Sequence, residues 1–230
     1  MPRIATWNLH HMTRELKIPK GVLSVIESVR SDVLVLTEYV DRGGRADFVA
    51  ALKRIGYRQP ECSDGGKEPR QNQVLVASLE TQEDRKIEAP KIDEASRTNF
   101  LHRSIPTLQL DVVGFRVPHY QSAKPIMREE LERYWQQFKK TALGAANQRV
   151  VFIGDFNIGN KAIDESGRRA LRHLVSKGFR LVGEEDGLDR ALLTPELRLK
   201  SFSVLYEVAD MALTGKGGLS DHPMLVVEVK

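Results

Sequence analysis

The chain is poor in cysteine, in aromatic residues and in long apolar runs. Its 230 residues include a single cysteine, Cys62, so an intramolecular disulfide and a stapled secreted scaffold are excluded. No apolar stretch exceeds a few residues, and we therefore expect no membrane-spanning helix. The segment from Met1 to His10 turns polar at once, which predicts no signal peptide and a cytoplasmic protein.

The charge balance is only weakly basic. There are 35 Lys and Arg residues against 31 Asp and Glu residues, a formal net charge of +4. With 41% hydrophobic residues, this composition is typical of a globular protein and excludes a largely disordered one. The basic excess permits a polyanionic partner such as nucleic acid without requiring one, and nothing in the sequence indicates an obligate protein partner.

Short apolar strands alternate with amphipathic helices along the chain. Val22 to Val29 carries apolar side chains at helical spacing, whereas Val33 to Thr37 is a continuous apolar and β-branched run, typical of a buried strand. Alternation of this kind predicts a layered α/β fold. Successive strands without intervening helices, around 71–117 and 188–229, favour a mixed sheet or two packed sheets over a parallel doubly wound sheet.

Two stretches have weaker patterns. Glu80 to Arg103 is polar and poorly periodic, so we expect a loop region with one short strand near Ile87. Thr107 to Val117 predicts either two strands or one strand bent at Gly114. No repeat, low-complexity tract or linker divides the chain, and we therefore expect a single domain over residues 1–230.

Polar side chains stand at the ends of several apolar strands. They are Asn8, Glu38, His119, Asp155 with Asn157, and the adjacent pair Asp221 and His222. Each alone could cap a turn or lie at a solvated edge. Together they predict one polar surface at the end of a sheet, where active sites form.

The order and the residue sequences of these segments resemble the motifs of the endonuclease/exonuclease/phosphatase superfamily, which includes deoxyribonuclease I and exonuclease III. The motifs are Thr6-Trp7-Asn8, Leu36-Thr37-Glu38, Gly154-Asp155-Phe156-Asn157, Leu188-Asp189-Arg190 and Ser220-Asp221-His222-Pro223. The resemblance runs over essentially the whole chain. It implies a four-layer α/β sandwich in which two packed mixed β-sheets are flanked by helices.

The resemblance also implies a divalent metal site. Glu38 would be the principal ligand, with Asn8 and Asp221 nearby. Hard oxygen ligands of this kind suit Mg²⁺ or Mn²⁺, and the absence of a Cys/His cluster from the sequence disfavours a thiolate-rich zinc site.

The other implied roles concern water and phosphate. Asp155 would orient or deprotonate the attacking water, and Asn157 would hold a phosphate oxygen, with Asn8 also near the substrate. His222 would face the phosphate with Asp189 on its other ring nitrogen, an arrangement that fixes the tautomer and favours the imidazolium. His119 would be a second histidine donor.

Differences between these motifs and those of better-known branches of the superfamily narrow the choice of branch. His119 inclines the chain toward the deoxyribonuclease I side, yet the strand from Gln73 to Ser78 lacks the Glu that usually supports such a histidine, so the partner of His119 stays open. Inositol polyphosphate phosphatases usually carry an Arg two residues after the motif asparagine. Here Asn157 is followed by Ile158 and Gly159, which disfavours that branch.

Three hypotheses follow from the sequence. The favoured one is a metal-dependent phosphodiesterase that cleaves nucleic acid. The alternative is a phosphatase or phosphodiesterase acting on a small or lipid-derived phosphate ester. The third, a catalytically dead binding module, is disfavoured because a scaffold has no need of so many costly polar groups in one place. DNA or RNA, endo- or exonucleolytic cleavage, Mg²⁺ or Mn²⁺, and the oligomeric state all stay open.

Overall fold

Two six-stranded mixed sheets form the centre of the fold, with helices on their outer faces. The computed structural model describes residues 1–10, 18, 20–40, 45–65, 72–85, 87–118, 125–159 and 164–230. The elements of the first half are β1 (Arg3–Asn8), α1 (Lys20–Val29), β2 (Val33–Tyr39), α2 (Arg45–Arg54), β3 (Glu61–Cys62), β4 (Gln73–Ser78), β5 (Glu83–Asp84), α3 (Glu94–Thr98), β6 (Phe100–Ile105) and β7 (Leu110–Arg116). Those of the second half are α4 (Pro125–Gly144), β8 (Val150–Asp155), α5 (Glu165–Ser176), β9 (Arg180–Val182), β10 (Asp189–Leu193), β11 (Leu199–Leu205), β12 (Glu207–Val208), β13 (Met211–Ala212) and β14 (Met224–Val229). The predicted four-layer α/β sandwich is confirmed.

The two large sheets share one plan. The first has the order β11-β14-β1-β2-β4-β3 and the second the order β5-β6-β7-β8-β10-β9. In each sheet the central pair is parallel, β1 with β2 and β7 with β8, and the other neighbours are antiparallel. Because the carboxyl ends of a parallel pair meet at one edge, each sheet offers two adjacent strand ends for function.

The inner faces of the sheets are packed closely. Ile4, Val33 and Val35 of the first sheet share a core with Val112 and Ile153 of the second. On the outside, α1 and α2 cover the first sheet, and α4 and α5 cover the second.

Gly114 lies at this inner interface, and of the two predicted alternatives the structure has one strand through this position and not two. Strand β7 continues through Gly114, and a Cβ at that position would come within 2.8 Å of the side chains of Val35 and Val74 on the facing sheet. The glycine therefore permits the close approach of the two sheets.

The expected loop between Glu80 and Arg103 contains β5, α3 and most of β6, and the short strand expected near Ile87 is β5, at Glu83–Asp84. Strand β6 escaped prediction because its centre carries buried polar side chains, His102 and Arg103, which interrupt the apolar pattern. Both have acidic partners: His102 Nε2 lies 3.4 Å from Asp111 Oδ1, and Arg103 pairs with Asp84. Such pairing makes the burial tolerable.

No helix in the described ranges is both long enough and apolar enough to cross a bilayer.

Candidate active site

The ends of six strands bring polar side chains to one edge of the sandwich. Four stand at or beside carboxyl ends, namely Asn8 (β1), Glu38 (β2), Arg116 (β7) and Asp155 (β8); Asp189 begins β10, and Asp221 with His222 directly precedes β14. The antiparallel strands β10 and β14 start where their neighbours β8 and β1 end. The shared plan of the sheets therefore explains why residues far apart in sequence meet here.

Asp155 is the buried centre of the group. Its Oδ2 accepts a hydrogen bond from Asn8 Nδ2 at 3.0 Å, and its Oδ1 accepts one from the backbone N–H of Asn157 at 2.8 Å. The preceding Gly154 has φ +145°, and a Cβ there would lie 1.9 Å from the carbonyl oxygen of Phe115. The glycine of the motif is required because β7 passes so close to it.

His222 is held on both its ring and its backbone. Its Nδ1–H donates to Asp189 Oδ2 at 2.5 Å. Its backbone N–H donates to Ser220 Oγ, which in turn donates to the carbonyl of Asn8 at 2.7 Å. Trp7 Nε1 donates to the His222 carbonyl at 3.1 Å. These bonds fix the loop before β14 against β1 and direct His222 Nε2 toward Asn8 and Asp221, at 3.5 and 3.7 Å.

The buried carboxylates repel one another. Asp189 stands directly opposite Asp155 across the β8–β10 pair. Burial and, to a lesser degree, the charge of Asp189 raise the pKa of Asp155 to about 7, against the opposing influence of Arg116 and His222. Burial likewise raises the pKa of Asp189, while its hydrogen bond with His222 acts in the other direction.

For His222, burial and the neighbouring carboxylates move the pKa in opposite directions. Burial lowers its pKa, but the hydrogen bond and charge of Asp189, with the charges of Asp155 and Asp221, outweigh burial and raise the pKa to about 9. His222 is therefore an imidazolium at neutral pH, with one N–H held by Asp189 and the other available to an anion.

Glu38 reaches this edge through an irregularity in β2. The pairing of β2 with β4 shifts register between Leu36 and Tyr39, and Glu38 has φ +54°. Bulges of this kind re-aim side chains beside active sites. As a result, the Glu38 carboxylate meets Arg116 of the opposite sheet, with Oε1 2.9 Å from Nη2.

Arg116 is the site residue that sequence reasoning missed. It is register partner to Asp155 on the parallel strand β8, and its Nε lies 3.5 Å from Asp155 Oδ2. The available signal was its position as the last residue of a buried strand, although an arginine there usually indicates solvent exposure.

The structure brings most of the predicted site residues together. Asp221 is half-exposed at the rim, where its Oδ2 lies 2.9 Å from His10 Nδ1. Asn157 adjoins Asp155, but its side-chain Nδ2 donates to the Val117 carbonyl at 2.7 Å. His119 lies outside the described residues. The catalytic and ligand roles assigned to all of these residues stay predictions.

The side chains present fit a hard divalent cation. Within the described ranges, no three His, Cys, Asp or Glu side chains surround a common point. Mg²⁺ needs no such cage, because it is usually held by one or two carboxylates, water and substrate phosphate. Burial raises the pKa of both Asp155 and Asp189, and neighbouring carboxylates add to the rise, so a cation bound here would favour their ionised forms. Glu38, Asp221 and the Asn8 amide oxygen would supply the ligands.

The fold and this edge together define a hydrolase of phosphate esters. The chain belongs to the Endonuclease/Exonuclease/phosphatase family, whose sequence pattern matches residues 5–222. Among curated proteins, none matches the chain in sequence.

Several solved structures share the fold over their whole length. An AP endonuclease from Archaeoglobus fulgidus is similar with a TM-score of 0.73 and 20% identity, over 99% of both chains. A Neisseria 3′ phosphatase, NExo, bound to product DNA hairpin, has a TM-score of 0.72 and 16% identity over 100% of both chains. The 3′-5′ exonuclease NExo from Neisseria meningitidis has a TM-score of 0.73 and 17% identity over 98% of both chains.

Proposed function

We propose that the protein is a divalent-metal-dependent phosphodiesterase that hydrolyses nucleic acid, with residues 1–230 forming one catalytic domain. The observation that carries the proposal is the pairing of an ionisable base with a held acid. Asp155 has its pKa raised to about 7, and His222, which Asp189 holds through its Nδ1–H, has its pKa raised to about 9. The two groups meet at Asn8, whose Nδ2 lies 3.0 Å from Asp155 Oδ2 and 3.5 Å from His222 Nε2. In hydrolytic sites, the environments of two titratable groups commonly set their pKa values so that one group acts as the base and the other as the acid.

Each side chain has a specific task in this proposal. Asp155 accepts the proton of the attacking water, because a carboxylate with a pKa near the working pH is an effective base. Asn8 Nδ2 orients Asp155 through its hydrogen bond. His222 Nε2–H donates to a non-bridging phosphate oxygen as negative charge builds up there. When bound at Glu38 and Asp221, Mg²⁺ or Mn²⁺ would supply Lewis-acid stabilisation of that charge.

Nucleic acid is the favoured substrate for two reasons. Similar structures that span this chain end to end include an AP endonuclease, a 3′ phosphatase with a DNA hairpin and a 3′-5′ exonuclease. The chain also carries a net positive charge of +4, which suits a polyanion. A cytoplasmic location belongs to the same proposal, since a chain with the single cysteine Cys62 suits a reducing compartment.

A substrate panel at two salt concentrations tests the choice of substrate. The panel holds an abasic duplex, a duplex with a 3′ phosphate, single-stranded DNA, RNA and bis-p-nitrophenyl phosphate, each with Mg²⁺. We expect a nucleic acid to give the highest kcat/KM and its KM to rise steeply from low to physiological salt. Binding of the protein releases counterions condensed on the nucleic acid, and this release becomes less favourable as the salt concentration rises. Preference for the small ester with a salt-independent KM would favour the alternative hypothesis.

A further inference from the structure

Arg116 connects the two sheets at the floor of the candidate site. Its side chain is only 11% exposed, and its guanidinium lies between Glu38 of one sheet and Asp155 of the other. The Glu38 contact has hydrogen-bond distance, whereas the buried Nε–H has no hydrogen-bond acceptor within the described ranges. A buried guanidinium donor without an acceptor can accommodate a further oxygen ligand.

Glu38 has two competing uses. It is the present partner of Arg116, and it is also the carboxylate expected to bind the divalent metal. A metal and a guanidinium close to one carboxylate repel each other, since both are positively charged and the site is shielded from water. Arg116 therefore opposes metal binding for as long as it holds Glu38.

We propose that Arg116 is a resident cation that holds Glu38 until the metal binds, and that it then contacts a non-bridging oxygen of the substrate phosphate. This inference rests on the proposed function. The planar guanidinium fork matches phosphate geometry, and Arg116 already lies beside Asp155, where the water would be activated. Metal binding and phosphate binding are then coupled through a single side chain.

A purely structural role makes a different prediction. If Arg116 only fastened the sheets together, its removal would loosen Glu38 and weaken metal binding and catalysis together. On the proposal the two effects have opposite signs, because the competitor of the metal and the partner of the phosphate are the same group.

The test measures Mn²⁺ binding and catalysis separately. For Arg116→Met we expect the Kd for Mn²⁺, from electron paramagnetic resonance without substrate, to fall about tenfold as the opposing charge is lost. We expect kcat/KM to fall by about 10²–10³-fold, the range for one positioned donor. Arg116→Lys keeps the charge but loses the fork, so its Kd should stay within about twofold while kcat/KM still falls at least about tenfold.

Arg103→Met is the matched control. Arg103 is also buried and paired with a carboxylate, Asp84, but it lies on β6 away from the site. Its removal should lower the melting temperature while leaving the Kd for Mn²⁺ and kcat/KM close to wild type.

Two results would overturn the inference. One is weaker Mn²⁺ binding in Arg116→Met, and the other is wild-type kcat/KM in Arg116→Lys; the lysine variant decides the matter if the methionine variant does not fold. Wild-type protein that neither binds Mn²⁺ nor cleaves any substrate would instead overturn the proposed function, and this role with it.

Discussion

Replacing Asp155 with asparagine should lower kcat/KM by about 10²–10⁴-fold, the range for loss of a positioned base. The substitution keeps the shape of the side chain but removes the group that accepts the proton from water. An asparagine oxygen can still accept the hydrogen bond from Asn8 Nδ2 or from the Asn157 N–H, so the surrounding geometry should survive. The measurement is kcat/KM on the best substrate of the panel, with saturating Mg²⁺.

The same variant should not be less stable in metal-free buffer. The pKa of Asp155 rises from 3.8 to about 7 on folding, so the ionised carboxylate destabilises the folded state as pH rises from the lower value to the higher. At pH 8 in EDTA, Asp155→Asn should therefore melt at or above the wild-type temperature.

Asp111 offers the opposite control. It is buried in the same sheet, away from the site, and hydrogen bonds from His102 and Ser104 keep its pKa below the ordinary value despite burial. Asp111→Asn should lower the melting temperature and leave kcat/KM near wild type. Wild-type activity in Asp155→Asn would remove Asp155 from the role of base.

Asp189→Asn should lower kcat/KM by about 10²–10⁴-fold through its effect on His222. Asp189 holds the His222 Nδ1–H and keeps the imidazole charged. Without that carboxylate, burial dominates and the pKa of His222 falls from about 9. The alkaline limb of the pH–rate profile should therefore move to lower pH, and NMR titration of the metal-free protein should show the lower pKa directly.

A double-mutant cycle tests whether the pair acts as a unit. His222→Ala alone should remove nearly all the activity that the pair provides, so adding Asp189→Asn should change kcat/KM little further. If Asp189 only supported the turn before β10, its substitution would lower the melting temperature, leave the pKa of His222 unchanged and add fully to the His222→Ala loss. Full additivity would show that the two residues are independent.

The site could be predicted where strands carry an unbroken apolar pattern up to a polar end. Asn8 and Asp155 follow such runs, and the mixed-sheet plan that aligns their strands was also indicated by sequence. Glu38 was found in the same way, but the bulge that aims it at the second sheet depends on pairing with β4, which no local pattern encodes.

Prediction failed where polar side chains are buried by tertiary partners. His102 and Arg103 made β6 look like a loop, because the carboxylates that compensate them lie on the neighbouring strands β7 and β5 and not within β6 itself. Arg116 was missed for the same reason, since its burial between two carboxylates becomes visible only when the sheets are stacked. Sequence patterns report the solvent preference of a residue, not the neighbour that compensates its charge.

The most direct test of the central claim is cleavage of the best nucleic acid substrate by purified protein in EDTA and after addition of Mg²⁺ or Mn²⁺. The proposed function predicts no cleavage in EDTA, recovery with either metal, and a higher metal requirement for Glu38→Gln, which loses a charged ligand. Full activity in EDTA, or an unchanged metal titration for Glu38→Gln, would contradict it.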